Sequence, residues 1–145
     1  MHIILVEMRS MEQLFSLRGK VAIVTGGNSG IGKGIACGFA SAGSDIVIAA
    51  RNQAKTAEAT HEISEKFGVR VLGVQVDVRQ EKQIESMVEQ ALSSFGRINI
   101  LVNNAGMNIR KLPQELSASE WDEVLEVNLR SAFLCSKAVY PSMKR

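Results

Sequence analysis

Short, uninterrupted apolar runs alternate along this chain with longer segments whose apolar residues recur every three or four positions. The runs are Val21 to Thr25, Ile46 to Ala50, Val71 to Val76 and Ile100 to Asn103. They are rich in β-branched residues and lack the polar alternation of a half-exposed strand, so they read as strands of a parallel sheet covered on both faces. Helices are predicted between them at Ile31 to Ala42, Gln53 to Phe67 and Glu81 to Phe95; in the third, Ile84, Met87, Val88, Ala91, Leu92 and Phe95 form one stripe. Gly43, Gly68 and Gly96 stand just past these helices, where a left-handed cap suits glycine. A last helix is expected from about Ser119 to Tyr140, with Ser117 or Ser119 as N-cap and Glu120, Asp122 and Glu123 in its first turn. The order βαβαβαβ, wound by right-handed crossovers, is an α/β open parallel sheet.

Composition narrows the classes without choosing among them. The 145 residues are 46% hydrophobic and 22% charged, which is ordinary for one globular domain. Seventeen basic against fifteen acidic residues leave a net charge of +2, spread along the chain, so nucleic acid is not an expected partner. No run approaches the roughly 20 apolar residues of a membrane span. Met1 to Leu5 are apolar apart from His2 but followed by Glu7 and Arg9, unlike a signal peptide. Cys37 and Cys135 lack metal-type spacing and read as buried reduced thiols, which fits a cytoplasmic setting; no metal site is expected.

The chemistry concentrates at the ends of the predicted strands. Thr25-Gly26-Gly27-Asn28-Ser29-Gly30-Ile31-Gly32 follows the first strand and opens a helix. Glycines let a main chain approach a pyrophosphate, and the free N–H groups of a helix N-terminus, at the positive end of its dipole, point at it. Arg51 and Asn52 end the second strand, where an acid would accept from a ribose 2′-OH; an arginine suits a 2′-phosphate, so NADP is favoured over NAD. Asp77 and Val78 end the third strand and Asn103-Asn104-Ala105-Gly106 the fourth. Each taken alone reads equally well as loop; together they bound one crevice at the carboxyl edge of a doubly wound sheet.

The glycine spacing Gly26, Gly30, Gly32, the Asn-Asn-Ala-Gly turn, Asp77-Val78 and Asn128 together resemble the short-chain dehydrogenase/reductase family, from Lys20 to the last residue. The resemblance implies a Rossmann-type doubly wound parallel sheet, here truncated after the fourth strand and the helix that follows it. It also implies a nicotinamide cofactor held by Gly26, Asn28, Ser29, Gly30, Ile31, Gly32, Arg51, Asn52, Asp77, Val78, Asn103, Ala105 and Gly106. In that scheme Asp77 accepts from the adenine amino group beside the Val78 backbone, Asn103 tethers the fourth strand near the adenosine, and Asn128 is the catalytic asparagine of a proton relay. The resemblance starts in earnest near Leu14, so residues 1–13 are expected to be a loosely ordered extension of a partial domain over 14–145.

The family's reaction moves a hydride between nicotinamide and an alcohol or ketone carbon, using a serine and a Tyr-x-x-x-Lys pair that follow a fifth strand. This chain stops before such a strand. Tyr140-Pro141-Ser142-Met143-Lys144 has the right spacing, but Pro141 is expected to end the helix and part the two side chains. Met107 to Pro113 with Ser119 to Asp122 resembles sugar-acid ketoreductases of the gluconate 5-dehydrogenase type, and Arg110 and Lys111 could steer a carboxylate. Three readings follow: an NADP-favouring oxidoreductase acting on a small carbonyl or alcohol substrate and homo-oligomeric when complete; a silent dinucleotide-binding fragment of a truncated gene; and an interaction protein using an exposed helix and sheet edge.

Overall fold

The computed structural model of the chain describes residues 14–144; the extension expected over 1–13 lies outside them. Four strands, β1 (Val21–Thr25), β2 (Asp45–Ala50), β3 (Val71–Gln75) and β4 (Ile100–Val102), form a parallel sheet in the order β3-β2-β1-β4. Helices α1 (Gly30–Ser41), α2 (Gln53–Phe67) and α3 (Glu81–Phe95) are the crossovers. After β4 a 3-10 turn (Pro113–Glu115) leads to α4 (Ala118–Leu125), a π-helical turn (Glu126–Arg130) and α5 (Ser131–Met143).

Successive residues of a strand point to opposite faces, and both faces here are covered. On one side Ala22, Val24, Ile46 and Ile48 pack with Ala36, Ala40, Ala59 and Ile63 of α1 and α2. On the other, Val21, Ile23, Val47 and Ala49 meet Ile84, Met87 and Ala91 of α3 and Leu134, Cys135 and Val139 of α5. All of β1 is buried, which is why its sequence shows no alternation. The edge positions differ from the sequence expectation: β3 exposes Gly73 and Gln75, and β4 is only half-buried. Neither has a second described neighbour to cover it.

The helix ends follow their glycines. Gly68 (φ 66°) and Gly96 (φ 75°) close α2 and α3 in the left-handed region, their N–H groups donating to Ser64 and Leu92 carbonyls. Ser117 is the N-cap of α4: its hydroxyl accepts from the Glu120 N–H, and the Glu120 carboxylate accepts from the Ser117 N–H. Two expectations need correction. The last helix does not end at Tyr140, because Pro141 sits inside α5 and the Lys144 N–H still reaches the Tyr140 carbonyl. The bond Pro141 cannot make would go to the carbonyl of exposed Lys137, where water can replace it. Of the two free cysteines, Cys135 is buried, its thiol pushed up to about 11 by burial, but Cys37 is only half-buried.

Acid should reach the α4 cap late. Lys111, then the Ser117 N–H and hydroxyl, hold the Glu120 carboxyl down to about 2, from an ordinary 4.5. The cap's contribution is therefore complete above about pH 4.5 and is lost as the pH falls toward 2. Acid unfolding of Glu120→Gln should lack this part of the wild-type pH dependence.

Candidate functional site

The order β3-β2-β1-β4 places the chain reversal between β1 and β4, and an open crevice of about 430 Å³ lies at the carboxyl ends of the strands there. Its near wall is the glycine turn, with Gly26, Asn28, Ser29, Ile31 and Gly32 lining it. Arg51, Asn52 and Lys55 line it from the β2–α2 junction, Asp77 and Val78 from beyond β3, and Ala105 and Gly106 from beyond β4. The four strand ends singled out from the sequence are thus brought together.

The turn is built for close approach. Gly26 adopts φ 66°, and a Cβ at Gly32 would lie 2.3 Å from the Gly26 carbonyl oxygen and 2.4 Å from Asn104 Nδ2. The Thr25 hydroxyl donates to the Val102 carbonyl (3.2 Å) and accepts from the Asn104 and Ala105 N–H groups (3.0 Å each). The Asn104 amide donates to the Thr25 carbonyl (2.9 Å) and the Gly26 carbonyl (3.4 Å). Ser29, the N-cap of α1, makes no side-chain cap bond, and no acid stands in the first turn. The first N–H groups of α1 therefore meet no competing side-chain cap, where α2 is capped by Asn52 and α4 by Ser117.

Electrostatics divide the crevice. Arg51 and Lys55 bring positive charge to the β2 side, and the Asn28 amide spans to the Asn52 carbonyl (3.4 Å) and the Thr56 hydroxyl (3.2 Å). On the β3 side the Arg79 guanidinium grips Asp77, holding its carboxyl below the usual carboxylate range against the opposing effect of partial burial. Val78 is buried.

Three expected site residues stand differently. Gly30 and Asn103 do not line the crevice; the Asn103 amide instead donates to the Ala132 carbonyl (3.4 Å) and Ser136 hydroxyl (3.2 Å), tying β4 to α5. Asn128 is exposed, although Val124, Leu125, Val127 and Leu129 flank it in the sequence. It lies in the π-helical turn, accepting from the Met107 N–H (2.8 Å) and donating to the Met107 carbonyl (2.9 Å). Tyr140 and Lys144 do share a helix face, with the ammonium 6.0 Å from the ring centroid, contrary to the expected break at Pro141. They remain far from the crevice: Pro141, Ser142 and Met143 line a cavity with Arg97 and Asn99, at the amino end of β4.

Asn104, not among the residues expected to hold the cofactor, also lines the crevice from its strand end, as do Lys55 and Val127, which stand outside the strand ends. Asn104 stood inside the Asn-Asn-Ala-Gly turn, and Lys55 lies one turn into α2, so helical periodicity counted from Asn52 could have found it. Lys111 pairs with Glu120, which removes it from the pair of cations expected to face a carboxylate; Arg110 is exposed.

A doubly wound sheet with an uncapped glycine-turn helix at its switch point defines a dinucleotide-binding type of architecture. The sequence profile described as short chain dehydrogenase matches residues 20–145, and the chain belongs to that family. It is 41% identical over 124 residues to 2-dehydro-3-deoxy-D-gluconate 5-dehydrogenase of Escherichia coli, covering 86% of this chain and 48% of that protein. To the (2S)-[(R)-hydroxy(phenyl)methyl]succinyl-CoA dehydrogenase subunit BbsD of Thauera aromatica it is 40% identical over 127 residues, 88% of this chain and 51% of that one. The crystal structure of L-sorbose reductase from Gluconobacter frateurii, complexed with NADPH and L-sorbose, superposes with a TM-score of 0.85 at 41% identity, over 90% of this chain and 49% of that chain. The chain thus spans about half the length of the relatives it matches. No described helix is long and apolar enough to cross a membrane.

Glycine substitutions separate the roles of these positions. Gly32→Ala should destabilise the chain in urea unfolding, because its Cβ meets main chain at 2.3 Å. Gly34→Ala, on the exposed face of the same helix with nothing within 4 Å, should instead add roughly 1 kcal/mol through helix propensity.

Proposed function

We propose that the crevice holds a nicotinamide dinucleotide, NADP in preference to NAD, and that the protein is an oxidoreductase interconverting an alcohol and a ketone, of which this chain supplies the cofactor-binding part. The carrying observation is the α1 N-terminus, without a side-chain cap and walled by a glycine turn too tight for a Cβ, facing the crevice. Its free N–H groups and dipole suit a pyrophosphate. Arg51 offers a planar fork to a 2′-phosphate, with Lys55 as a second cation and Asn52 as a polar neighbour. Asp77 accepts from the adenine amino group beside the Val78 backbone, and Ala105 and Gly106 leave room toward the nicotinamide side.

Bound there, the cofactor supplies the hydride chemistry, while the chain binds and orients it. Asn128 is the residue of this chain that would support proton transfer, and its ties to Met107 from the π-helical turn brace the loop beyond Gly106. The substrate class favoured is a small carbonyl compound, sugar acids included, as the name of the Escherichia coli relative suggests. Exposed Leu129 and Phe133 on the last helical segment favour a homo-oligomer for the complete enzyme.

A second reading, a dinucleotide-binding module without catalysis, is favoured by one placement: Tyr140 and Lys144 lie at the wrong end of the sheet to serve the crevice. Assays of NADPH oxidation with ketones and keto-acids distinguish the two, since binding without turnover supports the module. Titration of the chain with NADPH and NADH should show tighter NADPH binding, and Arg51→Ala should reduce that preference by roughly tenfold, the scale of one charge-assisted contact. Tighter binding of NADH to the wild type would overturn the cofactor preference.

A further inference from the structure

Arg79 has no place in the crevice wall, yet it is the centre of the polar network behind it. Its Nε donates to both Asp77 carboxylate oxygens (3.0 and 3.1 Å), its terminal nitrogen to Oδ2 (2.6 Å), and its own N–H to Oδ1 (3.0 Å). The far side of the guanidinium faces Glu123 of α4 at 3.7 Å. Its carbonyl accepts from Arg130 (3.4 Å), which also pairs with Glu126, so the loop after β3 is fastened to the turn that carries Asn128. Asp77 is also held through its N–H, which donates to Gln83 (2.8 Å).

We propose that Arg79 is a positioning residue for base recognition: it orients the Asp77 carboxylate as a fixed acceptor at the adenine end of the crevice. The proposal rests on the dinucleotide reading above. A free aspartate samples several rotamers, and a forked guanidinium selects one. Arg51 is the other cation whose charge reaches Asp77. Without Arg79 the carboxylate is free to turn toward Arg51, which withdraws an acceptor from the base and a cation from the phosphate at once.

The readout is discrimination between adenine and hypoxanthine. Adenine offers an amino donor where hypoxanthine presents a carbonyl acceptor, which a fixed carboxylate repels. Dissociation constants of the 145-residue chain for NADPH and for reduced nicotinamide hypoxanthine dinucleotide phosphate measure it directly. The wild type should prefer NADPH by roughly tenfold, Arg79→Gln and Arg79→Ala by less than about threefold, and Arg79→Lys, which keeps one charged donor, by an intermediate ratio. Should the alanine variant lose its thermal transition, the glutamine variant decides. Wild-type preference in either folded neutral variant overturns the proposal. Equal binding of both dinucleotides by the wild type overturns it while leaving the dinucleotide reading intact; no binding of either overturns both.

Discussion

The hydroxyl of Thr25 holds this site together. It is a single group with one donor and two acceptor positions, and all three are used to join the end of β1 to the last residue of β4 and the turn beyond it. Twist separates the tips of neighbouring strands, and here the two tips must stay close enough for the Asn104 amide to reach the carbonyls of Thr25 and Gly26. Each bond contributes on the order of 1 kcal/mol, but together they set the shape of the glycine turn and so the direction of the α1 N-terminus. The glycine at position 32 is required by the same contact, since Asn104 occupies the space a side chain would need.

The charge arrangement is local rather than global. A net charge of +2 gives the molecule little overall field, yet Arg51, Lys55 and the α1 terminus gather positive potential on one side of a small crevice. The acid on the opposite side, Asp77, is compensated from behind by Arg79, so its charge is kept and its orientation restricted. The helix that follows β4 is fastened twice to this frame: Asn128 grips Met107 near the crevice, and Asn103 grips Ala132 and Ser136 at the strand.

Legibility in the sequence tracked the range of the interaction concerned. The bounds of β1 to β4 and α1 to α3 are legible to within a residue or two, because apolar runs, helical periodicity and glycine caps are local signals. The break at Pro141 was misjudged because the cost of the missing bond depends on whether water can reach the orphaned carbonyl, which is a tertiary property. Asn128 has apolar neighbours in the sequence, yet in the π-helical turn it stands exposed and bonded to Met107. Asn103 and Asn104 are adjacent in sequence and point in different directions, one to α5 and one to the glycine turn, a choice no local pattern encodes.

From the sequence alone came the alternation of elements, the parallel open sheet, the glycine turn and the strand ends that face one crevice, since periodicity and backbone freedom are properties of neighbouring residues. Only the folded chain decided which asparagine welds β1 to β4, that Lys55 joins Arg51 while Lys111 is taken by Glu120, that Arg79 stands behind Asp77, and that Tyr140 and Lys144 lie at the opposite end of the sheet. These are pairings between residues far apart in the chain. They are settled by where strand order and helix direction set the side chains in space.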